Sequence, residues 1–161
     1  MSAIQVLLCD DDAAVREAYC ESIELEGLVV RPCRSAAEVL PLLEKDASVV
    51  VVTDIRMPER DGFDLLAAAH AIDVEIPVIL MTGHGDIPMA LRALRVGAWD
   101  FVEKPADPVI LVETVRRALE HRLPVLVFRV ARANGDAHGV LAIQPAQRSA
   151  QVFADVVAQR L

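Results

Sequence analysis

The chain has few aromatic residues, few cysteines and no long apolar segment, and each scarcity excludes a class of protein. Aromatic residues make up 4% of the 161 residues, whereas 54% are hydrophobic, so the core must be built from aliphatic side chains. The three cysteines are odd in number and lack metal-ligand spacing, which argues against a disulfide framework or a zinc site. No apolar run approaches the roughly 18 residues of a membrane span, and no signal peptide is recognisable. We therefore expect a globular protein of the reducing cytoplasm.

Basic charge is scarce in the first three-quarters of the chain. Residues 1–122 contain 22 acidic and 12 basic residues, a net charge of −10, whereas residues 123–161 contain 2 acidic and 4 basic residues, a net charge of +2. Nucleic-acid affinity depends on Lys and Arg side chains that displace counterions from phosphates. Direct contact between residues 1–122 and nucleic acid is therefore not expected.

Short apolar runs alternate with helical patterns along the first 122 residues. The runs at 4–9, 28–31, 49–53, 77–81 and 98–102 predict five strands, and the segments 13–26, 35–46, 63–72, 87–96 and 108–122 predict five helices. The second helix is expected to begin at Ser35, with Glu38 three residues later in a capping box. Alternation of this kind predicts an α/β fold, a doubly wound five-stranded parallel sheet with five helices.

Residues 123–161 follow a different pattern. Pro124 is expected to end the fifth helix, and the runs at 124–130 and 139–143 predict two short strands. An amphipathic helix is expected over 146–161. The sequence thus predicts two parts, a domain over 1–122 and a short C-terminal extension over 123–161 that contains neither a Gly-x-x-x-x-Gly-Lys phosphate loop nor a recognisable helix-turn-helix.

Polar residues follow four of the five predicted strands. Asp10 and Asp11 come after the first strand, Asp54 after the third, Thr82 after the fourth and Lys104 after the fifth. Ligands of doubly wound sheets bind outside the carboxyl ends of the strands, so these side chains are expected to converge. Clustered carboxylates stay ionised only around a cation, and oxygen ligands favour Mg²⁺, which in turn favours a phosphoryl group. One aspartate could then act as a nucleophile and form an acyl phosphate.

Each of these residues also has an ordinary structural interpretation. Asp12 directly precedes a predicted helix, and we interpret it as the helix N-cap. Taken alone, Asp54 and Thr82 would be interpreted as turn residues and Lys104 as a surface lysine. Four such residues at successive strand ends favour a functional site over four unrelated structural roles.

The motifs around these residues resemble those of the receiver domain of two-component response regulators. They are LLCDDD at 7–12, TDIRMP at 53–58 followed by DG at 61–62, MTGHGD at 81–86 and FVEKP at 101–105. The resemblance extends over residues 4–121 and is greatest to receivers of the nitrogen-regulation and dicarboxylate-transport type, which control sigma-54-dependent ATPases. It implies a flavodoxin-like receiver fold and a role in phosphorelay signal transduction and transcription regulation.

The resemblance also implies a set of phosphoacceptor and metal ligands. Asp54 would be the phosphoacceptor, taking its phosphoryl group from a sensor histidine kinase. Asp11 would bind Mg²⁺ directly and Asp10 through water, with Asp54 and the backbone carbonyl of Arg56 completing the protein ligands. The domain would not be an enzyme beyond Mg²⁺-dependent self-phosphorylation and self-dephosphorylation.

Switching residues and partners follow from the same resemblance. Lys104 would contact the phosphoryl oxygens, and Thr82 would move inward to hydrogen-bond the phosphorylated aspartate. Phe101 would be the aromatic switch residue that follows Thr82, and the Lys104–Pro105 peptide would be cis. The face of the fourth helix, fifth strand and fifth helix, residues 86–120, would form a homodimer or partner surface. No contact of the receiver with nucleic acid or membrane is implied.

Two other functions use a similar fold. A magnesium-dependent aspartyl phosphohydrolase of the haloacid-dehalogenase kind would need Asp-x-Asp-x-Thr or Asp-x-Asp-x-Val after the first strand, and residues 10–14 read DDDAA. A dinucleotide-binding domain would need Gly-x-Gly-x-x-Gly, which is absent from the sequence. The phosphohydrolase therefore stays as the alternative hypothesis.

Overall fold

The computed structural model describes residues 4–83 and 86–133, with the backbone alone for 124–133. The elements are β1 (Val6–Cys9), α1 (Ala13–Leu25), β2 (Val30–Cys33), α2 (Ala36–Val39), β3 (Val50–Asp54), α3 (Gly62–Ile72), β4 (Val78–Thr82), α4 (Ile87–Arg95), β5 (Asp100–Glu103) and α5 (Pro108–Ala133). The strands pair in parallel in the order β2-β1-β3-β4-β5. The predicted doubly wound five-stranded parallel sheet is therefore confirmed.

Side chains of each central strand alternate between two apolar layers. In β1, Leu7 and Cys9 pack with residues of α2 and α3, whereas Val6 and Leu8 pack with residues of α1 and α5. The valine run of β3 has no solvent exposure because this strand is central and covered on both faces. All three cysteines of the chain are free and buried in these layers, where they pack as small hydrophobic side chains.

Aspartate side chains cap three of the helices. Asp12 accepts hydrogen bonds from the backbone N–H groups of the second and third residues of α1, at 2.9 and 3.1 Å, which confirms its predicted role as the N-cap. Asp61 and Asp64 form a reciprocal capping box at the start of α3, and Asp86 caps α4. These caps fix where each helix leaves the carboxyl edge of the sheet.

The prediction of a helix from Ser35 to residue 46 was wrong. The structure has a single α-helical turn, α2, followed by a 3₁₀ turn over Leu40–Leu42. Pro41 lacks an N–H group and clashes with the preceding turn, so the α-helical hydrogen-bond pattern cannot continue. The predicted capping box is absent as well, because Ser35 makes no side-chain capping bond and Glu38 accepts hydrogen bonds from Arg34 instead.

The second strand lies two residues later than predicted, at Val30–Cys33 instead of 28–31. Gly27 adopts a φ of 79° after α1, and Leu28 N donates back to Ile23 O at 3.4 Å. The chain is therefore still closing the helix at Leu28. It joins the sheet only where Val29 O accepts hydrogen bonds from the start of β1.

The expectation that Pro124 ends the fifth helix was also wrong, as was the strand predicted over 124–130. Helix α5 continues through Pro124 to Ala133. A proline inside a helix costs about 3 kcal/mol, but sixteen helical residues already precede Pro124. Because the unfavourable nucleation step is complete by then, continuing the helix requires only propagation. The turn, strand and helix predicted between 134 and 161 lie outside the described residues.

Helix α5 is tied to the amino edge of the sheet by a buried ion pair. Arg122 Nη2 lies 2.7 Å from Asp73 Oδ2, and Arg122 Nε donates to Ala47 O at 3.0 Å. Both charged side chains are almost completely buried, at 0% and 1% exposure. This pair lies at the edge of the sheet opposite to Asp54.

The chain divides into two compact units, Met1–Val127 and Phe128–Leu161. The sheet lies entirely in the first unit. Within the described part of the chain, we find no helix with the length and apolar character needed to cross a bilayer.

Candidate functional site

The residues predicted at the strand ends meet at the carboxyl edge of the sheet. Asp54 is the last residue of β3 and Thr82 the last of β4, while Asp10 and Lys104 directly follow β1 and β5. Lys104 N donates to Thr82 O at 2.7 Å, which extends the pairing of β4 and β5 by one residue. The side chain of Lys104 therefore lies at the same edge of the sheet as the carboxylates of Asp10 and Asp54.

Three carboxylates and one ammonium group form the centre of the site. One oxygen each from Asp10, Asp11 and Asp54 lies within 4.8 Å of the others. Lys104 Nζ lies 2.7 Å from Asp10 Oδ2 and 3.1 Å from Asp54 Oδ2. The Asp10 side chain is 1% exposed and that of Asp54 14%, whereas Asp11 is exposed. The cluster keeps an excess of negative charge, which favours the binding of a further cation.

Burial and the contact with Lys104 act in opposite directions on the Asp54 carboxyl. Burial raises the pKa of Asp54, the hydrogen bond and charge of Lys104 lower it, and the net direction is upward. For Lys104, burial alone would lower the pKa, but the hydrogen bonds to Asp10 and Asp54 outweigh it and raise the pKa above its ordinary value. The ammonium therefore remains charged at neutral pH, and the Asp54 carboxylate is more basic than an exposed one.

The cluster has the ligand chemistry that Mg²⁺ requires. Asp10, Asp11 and Asp54 offer hard carboxylate oxygens close together, and the exposure of Asp11 leaves one side open to the water molecules that Mg²⁺ retains. Arg56 is the second residue after β3, with a side chain 81% exposed. These residues fit the predicted ion.

A cavity of about 350 Å³ opens beside Asp54. Its lining consists of Asp54, Ile55, Arg56, Thr82, Gly83, Asp86, Met89 and Lys104. Thr82 is 3% exposed and belongs to the lining of this cavity. Phe101 is partly buried on β5, where its Cα pairs with that of Leu80, and it is not a lining residue. The structure thus brings together all the predicted site residues that would contact a phosphoryl group.

Two further side chains hold the loops of the site and were not predicted. The hydroxyl of Tyr19, the only tyrosine of the chain, accepts a hydrogen bond from Ala106 N at 3.0 Å, directly after the Lys104–Pro105 peptide. That peptide is cis, as predicted. Met57 Sδ lies 3.4 Å from Cys9 Sγ and anchors the loop after β3 in the core. No sequence pattern indicates the sulfur contact, because its partners are 48 residues apart.

Gly62 lets the first turn of α3 lie against the backbone of Asp54. A Cβ atom at Gly62 would lie 2.6 Å from the carbonyl oxygen of Asp54 and 2.9 Å from the Cα of Ile55. Gly62 N also donates to Ile55 O at 2.8 Å. The motif at 61–62 carried the family resemblance, but its steric role becomes evident only from this approach.

A Gly62→Ala variant should therefore lose about 1 to 3 kcal/mol of its free energy of unfolding, because the new methyl group overlaps backbone atoms that cannot rotate away. Urea denaturation measures the change. Gly83→Ala is the matched control, since a Cβ there meets no atom within 4 Å, and its stability should change by no more than about 0.5 kcal/mol. Equal effects of the two substitutions would contradict the steric argument.

Comparison with known protein families and with curated sequences finds matches in both. The family described as "Response regulator receiver domain" matches residues 6–116. The C4-dicarboxylate transport transcriptional regulatory protein DctD of Pseudomonas aeruginosa is 48% identical over 128 residues, which cover 80% of this chain and 28% of that protein. The chain thus spans less than a third of the length of this relative.

Solved structures give the same result for the fold. A crystal structure titled FixJ-N has 37% sequence identity and a TM-score of 0.66, covering 75% of this chain and 97% of that one. A response regulator receiver domain protein from Clostridium thermocellum has 29% identity and a TM-score of 0.70, covering 76% and 99%. The haloacid-dehalogenase alternative finds no support in these comparisons.

Proposed function

The chain belongs to the response regulator receiver domain family, and from that premise we propose that Asp54 accepts a phosphoryl group from a sensor histidine kinase. The transfer joins a carboxylate oxygen of Asp54 to phosphorus as the bond from phosphorus to the histidine nitrogen of the donor breaks. The donor imidazole keeps the electron pair of that bond. The product on this chain is an acyl phosphate.

One observation carries the assignment of Asp54. Of the two carboxylates held by Lys104, Asp54 lines the cavity of about 350 Å³, whereas Asp10 is fully buried and is not among the lining residues. A nucleophile must be reachable by its donor, so of the two carboxylates beside Lys104 it is Asp54 that can react. A phosphohydrolase of the alternative kind would instead need the aspartate after the first strand as its nucleophile.

Neighbouring side chains have separate tasks in this proposal. Lys104 neutralises negative charge on the incoming phosphoryl oxygens, and its bonds to Asp10 and Asp54 hold it in place beforehand. The Thr82 hydroxyl turns inward to hydrogen-bond the phosphorylated group, and Phe101 follows it. Mg²⁺, when bound by Asp11, Asp54 and the carbonyl of Arg56 and through water by Asp10, would supply positive charge to the transferring group. The same site would support self-phosphorylation from small donors and self-dephosphorylation.

The output of the switch would pass through α4, β5 and α5. Several large apolar side chains are exposed on this face, namely Ile87 and Leu91 on α4, Val96 directly after α4, and Val109 and Ile110 on α5. Burial of such a surface in a homodimer or against a partner would carry the signal to transcription, in line with the name of the DctD relative. Residues 123–161, beyond the proposed receiver boundary at 122, would add a docking or dimerisation element. The proposed compartment is the cytoplasm.

Phosphorylation by acetyl phosphate or a phosphorylated sensor kinase, in the presence of Mg²⁺, tests the proposal. The label should be found on Asp54 and should be absent from an Asp54→Asn variant. An Asp12→Asn variant is the matched control, because Asp12 caps α1 and asparagine caps equally well. Label on Asp10, or label retained in Asp54→Asn, would refute the assignment.

Magnesium should stabilise the folded chain. Binding to the folded state alone raises the free energy of unfolding by RT ln(1 + [L]/Kd), about 2.7 kcal/mol at a concentration one hundred times Kd. Thermal unfolding with chelator and with millimolar Mg²⁺ measures the shift in Tm. Asp11→Asn should reduce the shift, since Asp11 is one of the three clustered carboxylates. An unchanged Tm of the parent chain would count against the metal site.

A further inference from the structure

Arg56 and Asp86 face each other at the cavity beside Asp54. Arg56 Nη2 lies 3.8 Å from Asp86 Oδ2, and both residues line the cavity together with Asp54. Asp86 uses its other oxygen, Oδ1, to accept a hydrogen bond from Met89 N at 3.2 Å in the first turn of α4. The ion pair therefore links the loop that directly follows the phosphoacceptor strand β3 to the N-terminus of α4.

Lys104 and Arg56 are the cationic side chains among the described residues that line the cavity, and they differ in how firmly they are held. Lys104 is close to the buried carboxylate of Asp10, at 2.7 Å, and to the partly buried carboxylate of Asp54, at 3.1 Å. Arg56 has a side chain 81% exposed and, among the residues that the structure describes, a long ion-pair contact of 3.8 Å to Asp86, the kind of surface pair that contributes little stability. The Arg56 guanidinium is thus the cation of this cavity that can change partners at small cost.

Phosphorylation would present Arg56 with a stronger ligand than Asp86. A phosphoryl group carries about −1.5 to −2 charges and three acceptor oxygens, whereas Asp86 carries a single negative charge. Arginine binds phosphate oxygens through two parallel hydrogen bonds, which are shorter and stronger than a contact of 3.8 Å. The phosphoryl group would also be attached at the end of β3, only two residues before Arg56.

We propose that Arg56 is a second phosphoryl ligand and that Asp86 competes for it in the unphosphorylated chain. The inference rests on the proposed phosphorylation of Asp54. When the group is attached, the guanidinium leaves Asp86 for the phosphoryl oxygens, and α4 loses its ion-pair link to the loop after β3. Asp86 is then a positioning residue that acts through Arg56. Phosphorylation of Asp54 affects α4 because Arg56 exchanges the Asp86 carboxylate for the phosphoryl group.

Beryllofluoride, a phosphoryl mimic, tests the competition without a kinase. Its affinity is measured by fluorine NMR with saturating Mg²⁺ in the full chain and its variants. Arg56→Gln should weaken binding about tenfold, the equivalent of 1.4 kcal/mol. Asp86→Asn should strengthen binding about two- to fivefold, because asparagine keeps the helix cap and removes only the competing charge. The double variant should bind like Arg56→Gln alone.

The double variant and a matched arginine make the test decisive. If Asp86→Asn strengthens beryllofluoride binding by the same factor in the Arg56→Gln variant as in the parent chain, its effect comes from the change in net charge alone. The competition is then refuted. Arg60→Gln removes an exposed arginine of the same loop that does not line the cavity, and it should leave the affinity unchanged. An equal loss in Arg56→Gln and Arg60→Gln would also refute the proposal. Failure of the parent chain to bind, or equal binding by Asp54→Asn, would instead refute the phosphoacceptor assignment.

Discussion

An Asp73→Ala variant is expected to unfold with a free energy about 3 to 5 kcal/mol below that of the parent chain. Asp73 directly follows the last residue of α3. Its carboxylate pairs with Arg122 at 2.7 Å, and both side chains are almost completely buried. It also accepts backbone hydrogen bonds from Glu75 and Asp46, at 3.0 and 3.2 Å. Removing the carboxylate leaves the guanidinium as a buried charge without its counter-ion, and that penalty sets the size of the loss.

Two comparisons separate this penalty from a general loss of charge. Arg34→Ala removes an exposed pair with Glu38, whose side chains are 74% and 39% exposed, and should change stability by no more than about 0.5 kcal/mol. Replacing both buried partners, Asp73→Leu with Arg122→Met, should recover most of the loss, because no buried charge then remains. Arg122 Nη1 has no hydrogen-bond partner among the described residues. In the parent chain, therefore, the hydration that this nitrogen loses on burial is not replaced by a hydrogen bond. A double variant as unstable as Asp73→Ala would contradict this account.

A Lys104→Met variant should be less stable than the parent by about 2 to 4 kcal/mol in chelator, and Mg²⁺ should reverse much of the difference. Without the ammonium, the fully buried Asp10 carboxylate lies near Asp54 and Asp11 with no cation between them. Mg²⁺ restores a positive charge to the same oxygens. The stabilisation produced by a given concentration of Mg²⁺ should therefore be larger in the variant than in the parent.

Denaturant titrations with and without Mg²⁺ measure both effects. Lys45→Met is the matched control, since Lys45 is the only other lysine of the chain and is exposed.

The pKa of Lys104 is raised in the folded state, so its contribution to the free energy of unfolding is fully present below the unfolded pKa. That contribution is lost only as the pH rises through the folded value. The difference between Lys104→Met and the parent should thus be constant across neutral pH. A decline between pH 6 and 8 would contradict the charged-lysine account.

The sheet was predictable because its signals are local. Apolar runs of four to six residues separated by helical patterns determine the number and order of strands, and the right-handed crossover leaves little choice of topology. The convergence of Asp10, Asp54, Thr82 and Lys104 followed from the same rule, since parallel strands end at one edge. The family resemblance added the identity of the phosphoacceptor.

Features that depend on tertiary contacts were not predictable in this way. The pair of Asp73 and Arg122 joins residues 49 apart in sequence, and each alone has the appearance of a surface charge. Proline had opposite outcomes in two helices, since Pro41 ended α2 after a single turn whereas α5 continued through Pro124. A short helix cannot absorb the loss of a hydrogen bond and the steric clash, but a helix with sixteen preceding residues can.

The burial of every cysteine turns the chain into a chemical reporter of its own unfolding. Burial raises the pKa of Cys9 to about 12 and those of Cys20 and Cys33 to about 11. The thiolate is the nucleophile that attacks thiol reagents, so modification at neutral pH must wait until a segment opens to solvent. Because β1, α1 and β2 carry one thiol each, the modification rate of each cysteine gives the opening frequency of its own element without any engineered probe.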